Sequence, residues 1–301
     1  SNGGGEPETP AFEFTNNNGE GDGKWETATN WSNGSVPGNG AIVDLNASAT
    51  ITAGDNINVA DLIISENASL TIEGSLTITG EFANTVASRL IINDGGQIFQ
   101  INEGVQATFN MNIINPTEGE WNENNKTGWQ FIASPFTDAS ISDFFTTGDD
   151  NDYDLYKFDG NQVGAEWQNQ KTIATFDPQF VSGRGYLASY QAETTATLSG
   201  TLNNATSFTK ELSYNEGEDL ANFHLLGNPF SFDMNMDNAN ATFTNMVQGV
   251  AIVTAQGGYN YDVTSIPVGD GFFVKTTAAK AKFTYNHNAK SSRSGNANSL
   301  N

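Results

Sequence analysis

The chain of 301 residues carries 35 Asp and Glu against 12 Lys and Arg, a formal net charge of −23, and it has no cysteine. That charge repels phosphate backbones and anionic lipid heads, which argues against nucleic acid and membrane surfaces as partners. Disulfides, thiolate metal sites and a Cys nucleophile are excluded outright. Aromatic residues make up 11% of the chain, too many for a disordered polymer, and no apolar run approaches the ~18 residues of a membrane span.

Ser1-Asn2-Gly3-Gly4-Gly5-Glu6-Pro7-Glu8 has no apolar period, so residues 1–12 read as a flexible acidic tether. A processed precursor looks like this, and so does the stretch after a lipidated cysteine, which allows a lipid anchor through a residue before Ser1. An expression tag would look the same. Helix signals are nearly missing beyond. Short β-branched and aromatic runs alternate with Gly, Asn and Asp, the grammar of an all-β protein.

Residues 13–115 are expected to form a short β-solenoid with an N-terminal cap. Asn46-Ala47-Ser48-Ala49-Thr50-Ile51 recurs as Asn67-Ala68-Ser69-Leu70-Thr71-Ile72, and more loosely as Asp94-Gly95-Gly96-Gln97-Ile98-Phe99, at spacings of 21 and 27. One such unit cannot shelter its own apolar face, so the units must stack. Inward Ile and Leu with outward Thr and Ser give the period of two. An open solenoid end is an exposed sheet edge and needs a cover, for which Trp25 and Trp31 are placed; sugar stacking is their alternative role.

Residues 116–127 are polar without an apolar period and are expected to be a linker. Residues 128–286 contain a duplication. Gly128-Trp129-Gln130-Phe131-Ile132-Ala133-Ser134-Pro135-Phe136 matches Asn222-Phe223-His224-Leu225-Leu226-Gly227-Asn228-Pro229-Phe230. Ser182-Gly183-Arg184-Gly185-Tyr186-Leu187-Ala188 likewise matches Val268-Gly269-Asp270-Gly271-Phe272-Phe273-Val274, so the offsets are 94 and 86. Two signposts in one order at nearly one distance predict a β-sandwich built from two related halves. A single helical turn is expected near Ala139–Phe145. Lys280 and Lys282 alternate along 279–285 as in a protected edge strand, with a docking face as the other reading. Residues 287–301 read as a tail or a truncated linker.

Trp25, Asn30-Trp31 and Pro37, the solenoid repeat, Gly128–Phe136, Tyr153–Asp159, Gly183–Leu187 and Leu225–Phe230 together resemble secreted and cell-surface proteins of Bacteroidetes, many of them clients of type IX secretion. The resemblance implies an extracellular or outer-membrane surface location in a Gram-negative bacterium and an adhesive or scaffold role. No sorting domain is recognisable in this sequence.

No P-loop, nucleophile elbow or His-Glu-x-x-His occurs. Of the two histidines, His224 sits in an apolar strand and reads as structural, and His287 lies near the tail, so nucleophilic catalysis has no base to use. Asp150, Asp152 and Asp154 alternate as oxygen donors to Ca²⁺ do, though no Gly or closing Glu completes the loop signature, and a solvated turn is the simpler reading. Arg89 is the one basic residue from 41 to 115, so a lyase groove there lacks cations for an acidic sugar. A glycoside hydrolase needs two carboxylates at a set separation, which sequence does not give.

The expected function is therefore a non-catalytic extracellular surface protein, an adhesin or structural scaffold with surface proteins or glycans as partners. Its alternative is a carbohydrate-binding module that uses Trp121, Trp167, Tyr259 and Tyr261 as stacking faces, with glycoside hydrolysis as a weaker third. No cofactor is expected beyond Ca²⁺, and the oligomeric state is open.

Overall fold

A computed structural model describes residues 12–115, 128–144, 153–217, 220–254 and 257–287. The fold is all-β, and the chain divides into two compact units between Thr108 and Phe109. The single helical turn expected near residue 140 is Ile141–Phe144.

The first unit holds β1 (Phe12–Phe14), β2 (Ala41–Leu45), β3 (Ala49–Ile51), β4 (Asn56–Ile64), β5 (Leu70–Ile72), β6 (Ser75–Ile78), β7 (Leu90–Asn93) and β8 (Gln97–Phe99). These wind into a β-solenoid. One wall stacks β1-β2-β4-β6-β8, and a second carries β3, β5 and β7 in turn. Parallel pairing sets like on like: Ala49 lies beside Leu70 beside Leu90, and Ile51 beside Ile72 beside Ile92. All six are buried. Each rung is too small to exclude water alone, and stacking makes the core continuous.

The 21-residue spacing read from sequence is the register of β3 on β5. The third copy is not where the sequence placed it. Leu70 and Ile72 are followed in the ladder by Leu90 and Ile92, whereas Gln97–Phe99 pairs with Ser75–Thr77 in the other wall. Asp94-Gly95-Gly96 is thus the opposite corner of the coil. A Cβ on Gly96 would lie 2.2 Å from the carbonyl oxygen of Ile72, so glycine there lets one coil close onto the next.

Trp25 and Trp31 are the cover, and neither is free to stack on a sugar. Both are buried. Their rings meet edge to face at 4.9 Å, and Trp31 Nε1 donates to the carbonyl of Trp25 at 2.8 Å. Phe14 packs on Trp31 at 5.0 Å, and Trp25 N donates to Thr50 O at 2.9 Å, closing the free edge of β3. The cap loop is clamped by Asp22, which accepts from Asn30 Nδ2 at 2.7 Å and Thr27 Oγ1 at 2.9 Å. The bond from Asn30 is the chief reason its carboxyl titrates below the ordinary range.

The second unit is built twice. Its first half has β9 (Gln106–Ile113), β10 (Gln130–Ile132), β11 (Tyr153–Phe158), β12 (Trp167–Asn169), β13 (Tyr186–Tyr190) and β14 (Thr194–Thr201). Its second half has β15 (Ser207–Leu212), β16 (Phe223–Gly227), β17 (Met234–Asn235), β18 (Ala241–Thr244) and β19 (Ile252–Val253). There follow β20 (Tyr259–Asn260), β21 (Ser265–Ile266), β22 (Gly271–Lys275) and β23 (Ala281–Asn286). The signposts seen in sequence pair in one register. Phe131 faces Leu187 and Ile132 faces Tyr186; Leu225 faces Phe273 and Leu226 faces Phe272.

The two halves also exchange equivalent contacts. Ile132 bridges Asp270 as Leu226 bridges Arg184. Ala133 N donates to Gly269 O at 2.6 Å as Gly227 N donates to Gly183 O at 3.0 Å. A pseudo-twofold axis therefore runs between Ala133 and Gly227. A Cβ on Gly227 would lie 2.4 Å from that of Ala133, so the axis has room for one methyl group, not two.

Beneath this sheet, Gly183 faces Phe208 of β15 and Gly269 faces Phe109 of β9, both glycines at positive φ. β14 pairs with β9 as β23 pairs with β15. β9 is thus the opening strand of the duplication, which explains why the units divide within it, ahead of the expected linker. Residues 116–127 and 288–301 lie outside the described residues. One expectation is overturned: Ala281–Asn286 is no edge strand but the middle of β15-β23-β18, with Lys282 opposite Glu211. Its one lysine, Lys282, thus stands beside an acid of the neighbouring strand.

Candidate functional site

Successive strand residues point to opposite faces. Ile132, Tyr186, Leu226 and Phe272 are buried toward the lower layer, so Phe131, Leu187, Leu225 and Phe273 face the other way. They form an apolar cluster, with Phe158, Trp167, Phe223, Ala251 and Val253 packed around it. Apolar side chains on both faces of one sheet demand cover on both sides. Here the upper cover is a ring of aromatics.

Phe131 is the hub. Its ring lies 5.0 Å from Phe273 edge to face, 6.4 Å from Trp167 nearly parallel, and 6.4 Å from Tyr259. Trp167 also meets Phe158 at 4.9 Å and Phe273 at 5.9 Å. Trp167 and Tyr259 occupy equivalent places in the two halves: Phe158 pairs with Trp167 as Val253 pairs with Tyr259. The duplication thus brings two of the sequence-predicted aromatics onto one face. Trp167 is half-buried, whereas Tyr259 is 53% and Tyr261 72% exposed. The two tyrosine rings lie 6.4 Å apart at 35°. Burial of the Tyr259 hydroxyl, aided by Tyr261, pushes its pKa up, so it stays a neutral hydrogen-bonding group at physiological pH.

A cleft of about 140 Å³ adjoins this face, and Phe158, Phe223 and Leu225 line both. Its polar walls include Asp159, Arg184, Lys210 and His224. Arg184 pairs with Asp177 at 2.5 Å. His224 Nε2 donates to Ser213 O at 3.0 Å, and burial lowers its pKa, leaving a neutral ring. The sequence read His224 as structural and did not single out Arg184 or Lys210. The repeat alignment was the available signal, because it sets Arg184 opposite Asp270 and His224 opposite Gln130.

Of the other sequence-predicted site residues, Trp121, Asp150 and Asp152 lie outside the described residues. Asp154 is engaged within the protein, accepting from Asn169 Nδ2 at 2.9 Å and pairing with Lys171 at 3.3 Å. Among the described residues, no group of three His, Asp or Glu side chains is placed to hold a metal ion. No helix of the described residues is long and apolar enough to cross a membrane.

The fold defines the class: a capped parallel β-solenoid joined to a pseudo-twofold β-sandwich with an aromatic face. The chain belongs to the family described as a domain of unknown function (DUF8693), whose model matches residues 16–256. That span takes in the cap, the solenoid, Trp167 and the cleft, and stops ahead of Tyr259. Neither a curated protein nor a solved structure matches the chain.

Proposed function

We propose that this is a non-catalytic extracellular adhesive protein, displayed on a bacterial surface, whose duplicated unit captures glycans along its aromatic face. The observation that carries this reading is the exposure of Tyr259 and Tyr261 beside Trp167, on a base of Phe131, Phe158 and Phe273. Exposed rings on a packed apolar support are rigid and lose little entropy on binding. They also combine a flat apolar surface with hydroxyl and indole groups at the rim, which suits the apolar faces and hydroxyls of a sugar chain. Clustered aromatic anchors of this kind dominate interface energetics. The adhesive reading is favoured over a pure scaffold because a scaffold needs no such rings in water.

A glycan array with and without Ca²⁺ tests the proposal, the cation arm probing the Asp150–Asp154 segment. Defined glycans are expected to bind without turnover, and Tyr261→Ala is expected to weaken them about tenfold or more. Absence of glycan binding across the array leaves the scaffold role, and cleavage of a bound glycan makes the protein a hydrolase.

A further inference from the structure

The cleft beside the aromatic face is where the two halves stop resembling each other. Arg184 of the first half stands where the second has Asp270, and His224 of the second half stands where the first has Gln130. Lys210 of the second half, two residues beyond Phe208, stands where the first half has Met111, two beyond Phe109. The cleft, lined by residues of both halves, thus holds cationic and basic groups where the equivalent positions across the pseudo-twofold carry an acid, an amide and a thioether.

Lys275 adds a further cation, its Nζ 4.7 Å above the ring of Phe223. The acids present are engaged: Asp159 accepts from Asn161 N at 3.1 Å and Asn161 Nδ2 at 3.2 Å, and Asp177 holds Arg184. Lys210 is exposed and has no ion pair among the described residues. A chain of net charge −23 with 12 basic residues here sets two of them, Arg184 and Lys210, against one acid, Asp159, in the lining of one small cleft. That local balance of charge departs from the strongly acidic balance of the whole protein, and Lys210 is its cation without an acidic partner among the described residues.

We propose that this cleft takes the carboxylate of an acidic sugar residue within a glycan whose neighbouring rings lie on Phe158, Trp167 and the tyrosines. This rests on the glycan-binding reading above and adds the chemical class of the ligand. Lys210 supplies the charge, and Phe158 and Phe223 supply the apolar floor that continues from the aromatic face into the cleft. Neutral His224 holds its proton on Nε2 against Ser213, which leaves Nδ1 as an acceptor for a sugar hydroxyl. The overall charge disfavours densely charged polymers, so the fitting ligand carries single acidic residues among neutral rings.

The test uses the full chain with glucuronic-acid-substituted xylo-oligosaccharides and sialylated galacto-oligosaccharides. Each is measured by calorimetry beside its methyl ester and its neutral parent. One acidic form is expected to bind about tenfold or more tighter than its ester, the scale of a hydrogen bond to a charged group. Lys210→Gln is expected to erase that difference between acid and ester, with the melting temperature unchanged. Added salt should weaken the acid form and spare the ester. Equal affinity for acid and ester, or a difference that survives Lys210→Gln, overturns the carboxylate cleft while leaving glycan capture in place. If acid, ester and neutral parent all fail to bind on both backbones, and the array is blank, the glycan reading falls and the inference with it.

Discussion

The solenoid and the duplicated unit solve one problem, a sheet with apolar side chains, in opposite ways. In the solenoid, each coil covers the next and aliphatic residues fall on aliphatic residues, Ile51 on Ile72 on Ile92. Two tryptophans close the open end. In the duplicated unit, strands such as Phe223–Gly227 carry apolar residues on both faces, and one of those faces is covered largely by aromatic rings, with Leu187, Ala251 and Val253 among them. Repetition by stacking buries the in-phase aliphatic ladder. Repetition by a twofold leaves a face at the axis, and that face meets solvent with Tyr259 and Tyr261. Under the proposed function, the first region serves stability and the second recognition.

The largest effect expected is on the solenoid cap. Trp25→Ala removes a fully buried ring packed edge to face against Trp31 and should cost about 3–5 kcal/mol, read as a lowered urea midpoint. Trp25 Nε1 is itself buried without a hydrogen-bond partner among the described residues, an unsatisfied donor that carries its own penalty. Trp25→Phe should therefore cost clearly less than its lost volume implies. Equal losses for the two variants would show that the indole N–H matters in a way the packing does not explain.

Next in size is the axis of the duplication. Gly227→Ala drives a methyl group into Ala133 Cβ and to 2.6 Å from the Arg184 carbonyl, an overpacking cost of about 1–3 kcal/mol. Adding Ala133→Gly should restore part of it, since the pair then exchanges places across the pseudo-twofold. A double variant no more stable than Gly227→Ala alone, by thermal melts, would break the symmetry argument. Tyr261→Ala separates the two regions' roles in the other direction. It lies on the surface, so stability should move by less than about 0.5 kcal/mol while glycan binding is lost.

Much of this was legible in the chain, and the failures have physical causes. The 21-residue solenoid spacing and the two signposts of the duplication reappear as strand registers, because buried aliphatics in phase leave a periodic trace. The third solenoid copy was misplaced because corners look alike: Asp94-Gly95-Gly96 and Asn67-Ala68-Ser69 are both small polar turns, and only the aliphatics that follow tell which wall comes next. The lysine strand was read as an edge because alternation shows which side faces a core but not what lies alongside, which is a matter of topology. Trp167, Tyr259 and Tyr261 were legible as large rings in polar stretches. Arg184, Lys210 and His224 were not, since they come from three strands or strand entries and meet only through the fold.

The smallest expected effect is a pH dependence confined to the second unit's histidines. Burial is the main cause that lowers the His224 pKa in the folded state, opposed by its bond to Ser213 O and by Asp159. Burial also lowers that of His287, whose ring lies 4.5 Å from Phe232. A depressed histidine is neutral in the folded protein at a pH where the unfolded chain already binds a proton. Stability from this source is thus fully present above the unfolded value of about 6.5 and is lost as pH falls from there through the folded values. The window lies above the carboxylates, so urea midpoints between about pH 5.5 and 7.5 isolate it. His224→Gln, which installs the residue that the other half carries at Gln130, should flatten part of that slope, with His287 accounting for the remainder. A slope unchanged by the substitution would mean that His224 titrates alike in both states. The cleft would then be wetter than its apolar lining requires, and its charged groups correspondingly weaker at holding an anion.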